Sequence, residues 1–156
     1  MTKTIDKGFR IFHTWLTPTA TETAAATRHR ASIEACLKAN FEIKRFFRTG
    51  SFGNGTSIRG FSDVDYFASI PNRHLTANSN STLRNVWNVL DDRFPETGVG
   101  IRGPATQIPF GENGAESTDV VPAEYMNKSQ QGFWFMTLRI VPAAGGKQVL
   151  MHIQTT

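Results

Sequence analysis

Residues 50–65, which read GSFGNGTSIRGFSDVD, most constrain how this chain can fold, because they join a glycine-rich turn to two closely spaced aspartates. Asp63 and Asp65 lie two positions apart at the start of residues 63–70, where aromatic and β-branched side chains favour a strand. Alternate side chains of a strand share a face, so both carboxylates leave one side of the sheet, about 7 Å apart along the backbone. The run therefore predicts two oxygen ligands on one face.

Paired carboxylates of this kind suit hard divalent cations. Mg²⁺ binds carboxylate oxygens together with substrate phosphates, and two ions about 3.5–4 Å apart can hold the attacking and leaving oxygens of a phosphoryl displacement. Two carboxylates are too few for two ions, and Asp119 in the short apolar run 117–123 offers a third. We expect Asp63, Asp65 and Asp119 to be the catalytic, metal-binding set for Mg²⁺ or Mn²⁺. Pro122 is expected to end the ladder pairing of the Asp119 strand.

The glycine-rich turn predicts a phosphate cradle. Residues 45–49 read as a strand that runs into Gly50 and Ser51. A glycine lets the backbone approach a triphosphate closely, and the serine hydroxyl and the following N–H groups can donate to phosphate oxygens. The turn lacks the Gly-Lys-Ser/Thr ending of a P-loop, and its glycine spacing does not give the dinucleotide fingerprint.

Taken together, these motifs resemble a known family. Gly-Ser-Phe-x-x-Gly-Thr-x-Ile-x-Gly-x-Ser-Asp-Val-Asp, followed later by Asp-Val-Val-Pro-Ala, is similar to the cGAS/DncV-like nucleotidyltransferases (CD-NTases) of the DNA polymerase β superfamily. The resemblance extends from about Thr27 to Ala123. It implies that Gly50 and Ser51 contact the donor triphosphate. Thr56 and Arg59 are the further nucleotide-binding candidates.

The resemblance also implies a function, the synthesis of cyclic di- or trinucleotide second messengers in antiphage defence. Two alternatives remain open. A minimal nucleotidyltransferase could transfer AMP to a partner protein, and an inactive subunit could bind nucleotides without turnover. Single fragments such as Ser-Asp-x-Asp or Gly-Asn-Gly are common in ordinary turns, so the interpretation depends on their combined order.

Departures from the family pattern begin after Ala123. Related synthases continue into a helical second lobe, so we expect a palm domain with N-terminal helices over residues 1–125. Residues 126–156 are expected to be an incomplete or divergent extension of a truncated or frameshifted form. A protein partner that supplies or replaces the missing lobe is then expected.

Composition fits a globular protein that binds nucleotides. The chain has 156 residues, 39% of them hydrophobic, and its net charge of +4 favours polyanionic ligands, for which nucleoside triphosphates suffice without nucleic acid. The apolar runs are too short for a membrane span or a secretory signal, so we expect a cytoplasmic protein without a membrane partner. The histidines are scattered, which argues against zinc. Cys36, the lone cysteine, is expected to pack in the core.

Periodic patterns complete the expected fold. Helical spacing predicts one helix before Pro18 and another over residues 26–37, both backing the sheet, and a third over residues 83–94. Strands are expected near residues 99–102, 106–110 and 118–121. The predicted fold class is α/β (α+β): a polymerase β-like palm with a mixed sheet backed by helices.

Overall fold

The computed structural model describes residues 4–49, 64–111 and 116–124 in full and the strand backbones of residues 134–140 and 149–155. These ranges contain both helices and strands, which agrees with the predicted α/β (α+β) class. The helices are α1 (Ile5–Leu16), α2 (Ala20–Phe41) and α3 (Ser79–Arg93), with a 3-10 turn over Asn72–His74. The strands are β1 (Arg45–Thr49), β2 (Val64–Ile70), β3 (Gly100–Arg102), β4 (Ala105–Phe110), β5 (Glu116–Glu124), β6 (Trp134–Ile140) and β7 (Val149–Thr155).

Local sequence signals account for where the helices begin. α2 starts with a capping box, in which Thr19 Oγ1 accepts a hydrogen bond from the Glu22 N–H at 3.1 Å and Glu22 accepts one from the Thr19 N–H. α3 starts after Asn78, whose side chain accepts from the Asn80 N–H at 2.9 Å. These caps satisfy N–H groups that the first turn of a helix leaves unpaired.

The strands form one mixed sheet in the order β1-β2-β5-β4-β3. β2 and β5 are parallel, whereas the β1–β2, β4–β5 and β3–β4 pairs are antiparallel. β6 joins the sheet through the Glu124–Thr137 pair and forms an antiparallel pair with β7. The predicted mixed sheet is confirmed. The boundary after residue 125 stays a prediction.

One face of this sheet carries the main core. Large side chains from α2, α3 and the strands fill it with almost no solvent exposure: Ile33, Leu37, Tyr66, Ile70, Val86, Leu90, Ile108 and Val120. Cys36 packs against this cluster with its Sγ 3.7 Å from the Val89 carbonyl oxygen, and burial raises the pKa of its thiol. The expectation that Cys36 is a packing residue is confirmed.

Helix α1 forms over the expected residues, but its expected place against the sheet is wrong. Its apolar face remains in solvent, with Ile5 80%, Phe9 68% and Trp15 66% exposed, and none of its residues is buried. Among the described residues, α2 and α3 supply the helical part of the core. Helical spacing predicts which face of a helix is apolar, but it does not specify what that face packs against.

The expectation that Pro122 ends strand pairing is also wrong. β5 continues to Glu124, and Pro122 remains opposite Ala68 of β2. Pairing with β4 stops at Thr106–Val120, so in the described part of the sheet Pro122 has a paired strand on one side only. A proline is tolerated where the neighbouring strand does not need its missing N–H.

Candidate functional site

The aspartates lie on the sheet face opposite the main core. Along β2, Tyr66 and Ala68 are buried in the core, whereas Asp65 and Phe67 alternate with them and are only partly buried. The same alternation along β5 buries Val120 in the core and places Asp119 on the opposite face. We call this second face the acid face.

Strand register places two of the predicted ligands side by side. Asp65 of β2 is paired directly with Asp119 of β5, and the two strands are parallel neighbours. Neighbouring strands lie about 4.8 Å apart, and paired residues extend from the same face of the sheet. The Oδ1 atom of Asp119 is shielded from solvent. Two partly buried carboxylates this close together fit a shared divalent cation, which would offset their mutual repulsion.

The remaining predicted residues lie outside the part of the chain that the structure describes. These are Gly50, Ser51, Thr56, Arg59 and Asp63. Within the described residues, no group of three or more His, Cys, Asp or Glu side chains could hold a metal ion. Asp63, the third carboxylate that the sequence predicts, is not among the described residues and stays a prediction.

Register also reveals two neighbours of the acid pair that sequence reasoning missed. Thr49 of β1 is paired with Asp65, and Gln107 of β4 is paired with Asp119. The two acids therefore form a row with one neutral hydrogen-bonding residue at each end. No motif marks either residue, because their positions follow from strand pairing between segments far apart in sequence.

An apolar row borders the acid pair on the same face. Phe47, Phe67, Val121 and Ala123 form a second, smaller cluster, in which the Phe47 and Phe67 ring centroids are 5.6 Å apart. Low polarity beside a charged pair strengthens electrostatic interactions there.

Two arginines of the described residues, Arg30 and Arg48, make contacts that support packing. Arg30 donates to the Phe46 carbonyl oxygen at 3.0 Å and pairs with Glu34 at 3.1 Å. Arg48 donates to the Tyr66 hydroxyl at 3.2 Å. Tyr66 belongs to the core, so both arginines support the helix-covered face and its edge.

His29 is held at the end of the β4–β5 pairing, beside Phe110 and Glu116. Its ring stacks on Phe110 with centroids 3.9 Å apart, and its Nδ1 lies 3.5 Å from Glu116 Oε2. Burial lowers the pKa of His29, an effect that the Glu116 carboxylate partly opposes and that Arg28 reinforces. The neutral imidazole is therefore favoured in the folded chain.

Comparisons with known proteins begin with two negative results: no protein-family model matches the sequence, and a search of curated proteins finds no match. Solved structures, however, match the fold. CdnC of E. coli MS115-1, in complex with HORMA-deltaN, is 19% identical over 94% of this chain, with a TM-score of 0.62. CdnG, a CD-NTase of Bradyrhizobium diazoefficiens solved with GTP, is 17% identical over 87% of this chain, with a TM-score of 0.63.

This chain has the polymerase β-like nucleotidyltransferase fold. A further match supports that statement: the CdnE cyclic dinucleotide synthase of Elizabethkingia meningoseptica, solved with GTP and Apcpp, is 19% identical over 80% of this chain, with a TM-score of 0.61. The chain spans 40% to 47% of these three proteins. None of the described helices could cross a membrane.

Proposed function

We propose that this protein is a metal-dependent nucleotidyltransferase that uses nucleoside triphosphate donors. The observation that carries the proposal is the pairing of Asp65 with Asp119 on adjacent parallel strands of a nucleotidyltransferase fold. Asp63 is proposed as the third carboxylate of the set, and Mg²⁺ or Mn²⁺ as the cofactor. Bound divalent ions would supply positive charge at the reacting phosphate and would lower the pKa of the attacking hydroxyl.

Each residue has a distinct part in this scheme. Asp65 and Asp63 would bind the divalent ions that accompany the donor triphosphate. Gly50 and Ser51 would bind its phosphate oxygens through N–H and hydroxyl groups. Asp119 lies beside the attacking ribose hydroxyl and orients it in line with the donor α-phosphate. Positioning and electrostatic stabilisation then account for most of the rate enhancement.

The residues around the acid pair support this assignment of roles. The apolar row of Phe47, Phe67 and Val121 limits water on one side of the carboxylates. Thr56 and Arg59, in the segment of the sequence before β2, are proposed to contact the nucleotide, and Arg59 would offer the positive charge that a triphosphate attracts.

The product that we propose is a cyclic oligonucleotide second messenger used in antiphage defence, made in the cytoplasm. The likeness to CdnC, CdnE and CdnG supports this choice, since the CdnE structure is that of a cyclic dinucleotide synthase. A protein partner is part of the proposal, because the similar protein CdnC was solved in complex with HORMA-deltaN.

A second candidate function is the transfer of AMP to a partner protein. A third candidate is a nucleotide-binding subunit without turnover. Incubation of the purified chain with labelled nucleoside triphosphates and Mg²⁺ or Mn²⁺ separates the three. Soluble labelled oligonucleotides support the proposed function, labelled protein supports AMP transfer, and retention of nucleotide without turnover supports the binding subunit.

The same assay tests the acid pair directly. An Asp65→Asn, Asp119→Asn double variant should lose turnover, whereas Asp92→Asn on the exposed surface of α3 should retain it. Turnover in the double variant at the level of the unsubstituted chain would overturn the proposed function.

A further inference from the structure

Gln107 is the one hydrogen-bonding side chain that strand β4 offers to the acid face. Ile108 and Phe110 of β4 belong to the main core. Alternation along the strand therefore places Ala105, Gln107 and Pro109 on the opposite face. The side chains of alanine and proline carry no polar atom. The Gln107 amide is thus the only polar side-chain group that β4 can present to the acid pair.

Strand pairing leaves Asp119 as the neighbour of this amide. On one side Gln107 is paired with Asp119 of β5, and on the other side it is paired with Gly100 of β3, which has no side chain. A Cβ atom placed on Gly100 would meet no other atom within 4 Å, so that end of the row is open. In the described part of the sheet, the side chain directly opposite Gln107 is therefore that of Asp119.

The Gln107 amide is long enough to reach the Asp119 carboxylate. Directly paired residues of antiparallel strands have Cβ atoms about 4.5–5.5 Å apart. Two further carbons separate the Cβ of a glutamine from its amide nitrogen, and one separates the Cβ of an aspartate from its oxygens. The Oδ1 atom of Asp119 is shielded from solvent, which limits competition from water. A hydrogen bond from Gln107 Nε2 to an Asp119 oxygen is therefore within reach.

A neutral donor suits this position beside a metal-binding carboxylate. The positive charge of a lysine or arginine would compete with a divalent cation for Asp119, whereas an amide donates a hydrogen bond and leaves the negative charge available. Groups that hydrogen-bond to a metal-binding carboxylate fix its orientation. Their substitution typically lowers metal affinity or activity by about 10- to 100-fold.

We infer that Gln107 is a positioning residue, which orients the Asp119 carboxylate toward the cation that it would share with Asp65. The inference rests on the proposed function, in which these two aspartates hold a divalent ion. Gln107 acts through Asp119 and contacts neither the ion nor the nucleotide. Its amide holds one carboxylate oxygen on the β4 side, so that the other oxygen faces β2.

Mn²⁺ binding to the nucleotide-free chain tests this role without any turnover. Gln107→Met keeps the length of the side chain and removes its donor, so the affinity for Mn²⁺ should fall about tenfold or more, as measured by electron paramagnetic resonance of the free ion. Thr106→Val is the matched control. Thr106 is adjacent on β4, is fully buried on the core face, and its hydroxyl bonds to no described residue. This variant should bind Mn²⁺ like the unsubstituted chain.

Transfer kinetics give a second readout that a purely structural role would not move. At saturating Mg²⁺, Gln107→Met should lower kcat for labelled nucleoside triphosphates by roughly 10- to 100-fold. KM for the nucleotide should stay within about twofold, because Gln107 does not contact it. The midpoint of urea denaturation should stay close to that of the unsubstituted chain.

The outcomes separate this inference from the proposed function. Equal Mn²⁺ affinity in Gln107→Met and the unsubstituted chain would overturn the role of Gln107 and leave metal-dependent transfer intact. Equal losses in Gln107→Met and Thr106→Val, or a lowered urea midpoint for Gln107→Met, would show a structural role and would also overturn it. Weaker Mn²⁺ binding in Gln107→Met, with no turnover by the unsubstituted chain, would support Gln107 and count against the proposed function. Absence of Mn²⁺ binding to the unsubstituted chain would overturn both.

Discussion

The two faces of the sheet carry side chains of different chemistry. The helix-covered face buries Leu37, Tyr66, Leu90 and Val120 almost completely, and its large apolar side chains account for much of the stability of the fold. The acid face places the acidic side chains of Asp65 and Asp119 side by side on neighbouring strands. Side chains along β2 and β5 alternate between the two faces of the sheet. One residue in two therefore packs in the core, and the next faces the candidate site.

The largest expected effect tests the acid face. Asp119→Asn removes a charge but keeps the shape, so nucleotide transfer should fall by at least about a thousandfold, as when one preorganised electrostatic group is lost. The free energy of unfolding should change by no more than about 1 kcal/mol. Rates with labelled nucleoside triphosphates and urea denaturation measure the two quantities. A large loss of stability would show that Asp119 supports the fold and would contradict the assignment of the acid face to the site alone.

The next effect tests the helix-covered face. Leu90→Ala removes a fully buried side chain between α3 and the sheet, and it should cost about 2–5 kcal/mol of unfolding free energy. Urea denaturation measures this value. Nucleotide transfer should persist wherever the variant remains folded, since Leu90 does not reach the acid face. A cost below about 1 kcal/mol would contradict the assigned core.

These two predictions show what the sequence can supply and what it cannot. Apolar spacing predicted α1, α3 and most strands, and the Asp-x-Asp doublet with the later Asp119 predicted ligands on one face. The Asp65–Asp119 register could not be read, because pairing depends on contacts between segments distant in sequence. For the same reason, the sequence did not identify Gln107 and Thr49 as neighbours of the acid pair. The same dependence on distant contacts also made the expectations for Pro122 and for the packing of α1 wrong.

A pH titration tests the contribution of His29, at the end of the β4–β5 pairing, to the stability of the fold. The pKa of His29 is lowered from its ordinary value of 6.5, so below that pH the unfolded chain binds more protons than the folded chain. The free energy of unfolding should not be reduced by His29 above pH 6.5, and it should fall as the pH decreases toward the folded-state pKa of His29. His29→Gln should flatten this slope in urea denaturation. An unchanged slope would show that other groups cause it.

The smallest expected effect concerns α1. Phe9→Ser exchanges a side chain that is 68% exposed, so the free energy of unfolding should change by less than about 0.5 kcal/mol in urea denaturation. Leu90→Ala serves as the contrasting variant. A loss above about 2 kcal/mol would mean that the apolar face of α1 is covered in solution.

The pairing of β2 with β5 has a thermodynamic consequence. Asp65 and Asp119 become neighbours only when β5 enters the sheet between β2 and β4, so the extended chain does not offer the same pair of oxygens. A ligand that recognises only the native state raises the melting temperature by mass action, in proportion to the logarithm of its concentration. Calorimetric scans with increasing Mn²⁺ or Ca²⁺ could therefore rank cations without any turnover.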